Sequence, residues 1–155
     1  MINCFFEDGN KASLRHAVVD TLVLKGGEIL LVKRTAKLTE GGKWGMVGGY
    51  IDRDETVPQA AAREVHEETG WTIKDLALLT IRDHPDRPAE DRQNISFVYF
   101  AQAIEQTGTP DWESDEIRWF KLNDLPPRDQ LAFDHADDID LYKQYLEEKF
   151  SLPAF

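Results

Sequence analysis

Short apolar blocks alternate with breaks of glycine, proline and charge along most of this chain, and the spacing inside each block sets the element it predicts. "RHAVVDTLVLKGGEILLVKR" (15–34) reads as two β-rich runs around "KGGE", with Gly26-Gly27 as the hairpin turn. Residues 35–43 read as a loop, and "WGMVGGYI" (44–51) packs aromatics and glycines tightly before turning polar at "DRDE". Thr56 with Gln59 fits a capping box, Pro58 sits in a first turn, and Gly70 suits the residue after a helix. A helix over 56–69 follows, burying Val57, Ala61, Ala62 and Val65 on one face and setting Glu64, Glu67 and Glu68 on another. Strands are predicted over 71–83, 94–104 and 116–122, with a charged, proline-bearing loop over 84–93. A second helix spans 134–150, with Ile139, Tyr142, Leu146 and Phe150 at helical spacing. Strands on both sides of the first helix argue for a mixed α/β sandwich rather than a regular βαβ series.

A length of 155 residues predicts one domain over 1–155. No run of eighteen apolar residues predicts a membrane helix, and "MINCFFEDGNK" lacks the apolar stretch of a secretory leader. The lone Cys4 has no intramolecular disulfide partner and no Cys/His cluster points to zinc, so a reducing cytoplasm is expected. A formal net charge of -11 disfavours nucleic acid and anionic membranes as partners. It leaves room for an anionic small molecule, because a bound divalent cation reverses the local field.

The chemistry concentrates in "REVHEETG" (63–70), where Glu64, Glu67 and Glu68 fall within about one turn. Like charges at these spacings repel by roughly a few tenths of a kcal/mol per pair, and only Arg63 lies nearby to relieve them. The stretch calls for a cation that the sequence itself does not supply. Carboxylates converging from a rigid helix suit Mg²⁺, which neutralises phosphate oxygens and makes water nucleophilic.

The wider segment "GYIDRDETVPQAAAREVHEETGW" (49–71) sets Gly49, then Glu55, then Arg63-Glu64-Val65, Glu67-Glu68 and Gly70 in register. This pattern resembles the Nudix box of the Nudix hydrolases, with Trp71 standing where the family usually has a smaller aliphatic residue. The resemblance implies a Nudix-type α/β/α sandwich with a mixed sheet and a loop–helix–loop box. It implies Mg²⁺, with Mn²⁺ as a substitute, held by Glu64, Glu67, Glu68 and the Gly48 carbonyl. It also implies that a glutamate, Glu67 or Glu64, helps deprotonate the nucleophile. Glu55 and Arg63 would form an orienting ion pair, and Gly49 would let the backbone approach metal and phosphate.

Outside the box, Glu113, Asp115 and Glu116 are candidates for a further acid, with Glu116 preferred. Arg34 at the end of "ILLVKR" is a candidate for the substrate, with a surface salt bridge an equal alternative; Arg82, Arg87 and Arg92 flank a loop that could clamp phosphates, and at most one or two of them would do so. Phe5 and Phe6 are read either as a base-stacking pair or as a first strand packed on the core. "LAFDHADDI" (131–139) resembles a segment of the ADP-ribose pyrophosphatase branch, although capping of the last helix accounts for Asp134 and His135. The expected reaction is hydrolysis of ADP-ribose or a related nucleotide sugar to a nucleoside monophosphate and a sugar phosphate. A nucleoside triphosphate pyrophosphatase and a non-catalytic ligand sensor remain as alternatives. A homodimer is left open.

Overall fold

Strand alternation sorts the apolar residues onto two faces of one sheet. The computed structural model describes residues 2–90 and 92–153. In chain order the elements are β1 (Ile2–Phe5), β2 (Lys11–Leu14), β3 (Ala17–Lys25), β4 (Glu28–Arg34), β5 (Trp44–Gly45), β6 (Val47–Tyr50), α1 (Val57–Thr69), β7 (Trp71–Arg82), β8 (Ile95–Gln106), β9 (Ser114–Lys121) and α2 (His135–Glu148). Leu22, Leu24, Ile29, Leu31 and Val98 meet Ile139 and Tyr142 of α2. The residues one position out of phase meet α1 on the other face: Val19 and Tyr99 pack with Ala60 and Ala61, and Val23, Leu30 and Val32 with Val65. The result is the α/β/α sandwich expected from the sequence.

β3 is the hub of the sheet. Its second half pairs antiparallel with β4 and its first half antiparallel with β6, while β8 runs parallel along its other edge. β7 closes one side on β8, and β9 pairs with β4. The β4–β9 register shifts at Lys33/Arg34, where Lys33 faces Glu116 but Arg34 faces Ser114.

The α1 boundaries follow the cap signals. Gln59 accepts the Thr56 backbone N–H at 2.7 Å, and Gly70 ends the helix at φ 72° with its N–H on the His66 carbonyl. Two expectations change. Ala60, not Ala62, packs inward beside Ala61 and Val65, and Glu68 shares that buried side. β1 and β2 form a separate two-stranded sheet on which Phe5 and Phe6 are exposed, so neither packs on the core. Among the described residues no helix is long and apolar enough to cross a membrane.

Candidate active site

The tight strand β6 and the helix α1 bring the box residues together. β6 is locked onto β3 with Gly48 opposite Asp20 and Gly49 opposite Val19. A Cβ on Gly48 would lie 2.0 Å from the Val19 carbonyl oxygen, and one on Gly49 would lie 2.4 Å from Glu64 Oε1. Close approach to backbone therefore requires glycine at Gly48, whereas at Gly49 a side chain would displace the Glu64 carboxylate. The Gly48 N–H donates to Glu68 Oε1 at 3.1 Å, which ties the glycine strand directly to the helix.

Arg63 organises the acids beside this contact. Its Nη2 lies 2.7 Å from Glu55 Oε1 and its Nε 3.1 Å from Glu55 Oε2, a two-pronged pair, and Nη2 also donates to the Tyr50 carbonyl at 3.0 Å. Its Nη1 bridges Glu64 Oε1 at 2.8 Å and Glu67 Oε2 at 2.9 Å. The sequence thus supplies more of the neutralising charge than its spacing suggested.

Arg63 does not reach all the acids. Glu68 is 6 % exposed, and burial pushes its carboxyl well above the usual range, with Glu64, Glu113 and Asp111 adding to the rise and the Gly48 N–H opposing it. Burial also raises Glu64, assisted by Glu67 and Glu113, and raises Glu113, assisted by Asp111 and Glu67. Glu64, Glu68 and Glu113, all raised, together with the neighbouring Glu67 and Asp111 form a hard-oxygen donor set short of positive charge, and a divalent cation of the Mg²⁺ or Mn²⁺ type fits that chemistry. Among the described residues no three acids stand ready-made as a cage, because Arg63 engages two of them. For a cation to be shared with Glu68, Glu64 and Glu67 would have to turn from Arg63.

Glu64, Glu67, Asp111 and Glu113 line a cleft of about 540 Å³. Arg34, Lys37, Arg87 and Arg92 line it too, so cations face the acidic cluster across the opening. Arg34 donates Nε–H to the Thr39 carbonyl at 2.8 Å and stacks over Phe133 at 5.1 Å. Burial lowers its pKa, while Glu68, Asp20 and Glu113 work in the opposite direction. Arg92 donates to the Tyr50 hydroxyl at the cleft mouth.

Two candidates lie elsewhere. Glu116 pairs with Arg118 on β9, away from the cleft lining. The acid that the loop before β9 brings to the cleft is Glu113, with Asp111 beside it. Arg82 is held by the buried Asp138, with Nε 2.7 Å from Oδ1, and does not line the cleft.

The cleft floor holds a buried polar group that sequence reasoning missed. Asp134 takes the N-cap position of α2 but makes no cap bond; it accepts Arg87 Nε–H at 2.7 Å. Arg87 Nη2 also reaches Asp20 Oδ2 at 3.2 Å, where Ser96 Oγ donates as well. Burial opposes ionisation of Asp20, yet His135, Arg87 and Ser96 outweigh it and hold the carboxyl far below its ordinary range. One signal was available: Asp20 interrupts "AVVDTLVL", an otherwise apolar strand.

The NUDIX domain family model matches residues 14–144 of this chain. The chain is 35% identical over 127 residues to the ADP-ribose pyrophosphatase of Methanocaldococcus jannaschii, covering 82% of this chain and 72% of that protein. It is 31% identical to the oxidized purine nucleoside triphosphate hydrolase of Danio rerio, covering 86% and 81% respectively. In structure it is similar to the NUDIX domain of Shewanella oneidensis NrtR complexed with ADP ribose, with TM-score 0.74, 25% identity, and coverage of 87% of this chain and 90% of that one.

Proposed function

The chain belongs to the NUDIX family, and from that membership we propose that it hydrolyses the pyrophosphate of a nucleoside diphosphate derivative, with ADP-ribose as the preferred class of substrate. The observation that carries this reading is that Glu64, Glu67 and Glu113 line one cleft together with Arg34 and Lys37, with Glu68 buried behind Gly48. Acids of that kind hold a divalent metal, and the facing cations suit the phosphates of an anionic ligand.

Glu64, Glu67, Glu68 and the Gly48 carbonyl would hold Mg²⁺, with Mn²⁺ as a substitute. The ion supplies neutralisation of the phosphate oxygens and acidifies water. The chain's own groups do the rest. Arg63 holds Glu55 and steadies Glu64 and Glu67 on α1. Glu113, whose proton affinity is raised by burial, Asp111 and Glu67, would accept the proton of the attacking water, with Glu64 and Glu67 as the other candidates for that role. Water oxygen bonds to one phosphorus as the bond from that phosphorus to the bridging oxygen breaks. Arg34 and Lys37 steady the phosphate that departs. ADP-ribose and water then give AMP and ribose 5-phosphate.

A second reading, hydrolysis of a nucleoside triphosphate, is favoured by the similarity to the Danio rerio enzyme. Chromatography of products from ADP-ribose, nucleotide sugars, dinucleotides and nucleoside triphosphates, with and without Mg²⁺, tests both readings. AMP with ribose 5-phosphate supports the first, and pyrophosphate from a triphosphate supports the second. Glu67→Gln and Glu68→Gln are the controls; unchanged turnover in both would sink the metal-site assignment. Tight binding of ADP-ribose without cleavage would make the chain a sensor instead.

A further inference from the structure

The strand that carries Gly48 and Gly49 is very short, and its entry is held by an unusual partner. On the side of β5 facing residues 131–135, the Ala132 N–H donates to the Trp44 carbonyl at 2.8 Å, the contact expected of a neighbouring strand. The next donor along, the Met46 N–H, meets a side chain rather than a backbone carbonyl. It donates to His135 Nδ1 at 2.9 Å instead. A side chain 89 positions away thus fills a place that a sheet ladder normally fills with backbone.

The surroundings are built for this contact. His135 is 1 % exposed and Met46 2 % exposed, so neither group has water as an alternative partner. Gly45 leaves the ring room to lie against the strand, since a Cβ there would come 3.3 Å from His135 Nδ1. Accepting a hydrogen bond at Nδ1 leaves the ring proton on Nε2, which lies 3.4 Å from Asp20 Oδ1, a long polar contact that favours that tautomer. Arg87 and Ser96 fix Asp20 in turn. Two residues after Met46, the Gly48 N–H meets Glu68 Oε1.

We propose that His135 is a positioning residue for the metal site, acting through Nδ1 on the Met46 amide to set where Gly48 stands relative to Glu68. The inference rests on the metal-site reading of the proposed function. It assigns His135 no contact with substrate. Its effect passes along Met46, Val47 and Gly48, so loss of the acceptor lets the Gly48 limb drift from the carboxylates.

The two ring nitrogens separate by substitution. Asn places a side-chain oxygen near the position of Nδ1, whereas Gln places its polar end near that of Nε2, and Leu removes both. Mn²⁺ binding to the substrate-free chain, followed by electron paramagnetic resonance, is the readout. His135→Asn is expected to stay within about threefold of wild type, and His135→Gln and His135→Leu to weaken binding by about tenfold or more, the range found for groups that orient metal ligands. Wild-type affinity in the Gln and Leu variants, or an equal loss in all three, overturns the proposal. The ring ¹⁵N shifts of the unmodified protein test the geometry without any variant: an unprotonated Nδ1 is expected, and a protonated Nδ1 overturns the assignment. Absence of Mn²⁺ binding by the wild-type chain overturns the proposed function, and the positioning role with it.

Discussion

Replacing Gly49 with alanine tests the assignment of Glu64 with little disturbance to the fold. The added Cβ would lie 2.4 Å from Glu64 Oε1 and 2.6 Å from Cδ. That is about 1 Å short of ordinary carbon–oxygen contact, roughly 3.5 Å. The atoms in the way are the end of a side chain rather than backbone, so the carboxylate moves and the strand stays. Moving it loosens the 2.8 Å bond from Arg63 Nη1, a partly exposed pair worth about 1 kcal/mol or less. For a chain of this size the melting temperature should fall by only about 2–4 °C. Activity should fall far more, because a displacement of about 1 Å at a reacting centre costs on the order of 100-fold. Gly48→Ala should behave in the opposite way: its Cβ would lie 2.0 Å from the Val19 carbonyl oxygen on the central strand, where nothing yields cheaply. Overpacking of that kind costs about 3 kcal/mol, or roughly 6–12 °C. Steady-state hydrolysis of ADP-ribose and thermal unfolding without metal measure the two effects on each variant. Adding Glu64→Asp to Gly49→Ala shortens the displaced side chain, and the pair should be more active than the product of the single losses predicts. Wild-type kcat/KM in Gly49→Ala, or a loss matched by unfolding, would refute the placement of Glu64.

Three further outcomes follow from the geometry. Glu113→Gln should lower kcat by about 10²-fold or more as a lost proton acceptor, while Glu116→Gln, whose side chain pairs with Arg118 outside the cleft, should stay within about twofold; equal effects in the same kinetic assay would undo the distinction. Arg82→Met should leave KM unchanged and cost about 2 kcal/mol in urea unfolding at pH 7, because it strands the buried Asp138 carboxylate; a raised KM would return Arg82 to the substrate. Asp138 itself is raised by burial from 3.8 to about 6 against the pull of Arg82. The folded state therefore holds a proton that the unfolded chain has lost between those values, and its contribution to stability falls as pH rises through that window. Asp138→Asn lacks this titration, so its stability relative to wild type should improve by up to about 3 kcal/mol between pH 4 and pH 7, and a flat difference in unfolding free energy would contradict the shift.

What the sequence made legible is what depends on near neighbours. The capping pair Thr56 and Gln59, the left-handed Gly70 and the acids of α1 all sit within a few residues of what they act on, so helical geometry alone relates them. Nothing in the local spacing separates Glu113 from Glu116; the fold does, since Glu113 precedes β9 and lines the cleft while Glu116 pairs with Arg118 on the strand. Helical spacing alone puts Ala62 on the buried face, because alanine carries too little apolar area to say which side it belongs to; the sheet selects Ala60. The cleft floor is hardest to read, since Asp20 meets Arg87 and Ser96 across 67 and 76 positions and His135 meets Met46 across 89. No local spacing encodes those contacts. What the sequence does carry is the need for them. An aspartate on the same face as Leu22 and Leu24 must find positive charge and donors inside the protein or unfold it. Such a charge inside an apolar strand implies a buried partner network, even though it does not say which residues supply it. Here that network also floors the cleft, so the requirement that stabilises Asp20 also places Arg87 and His135 beneath the acids of α1.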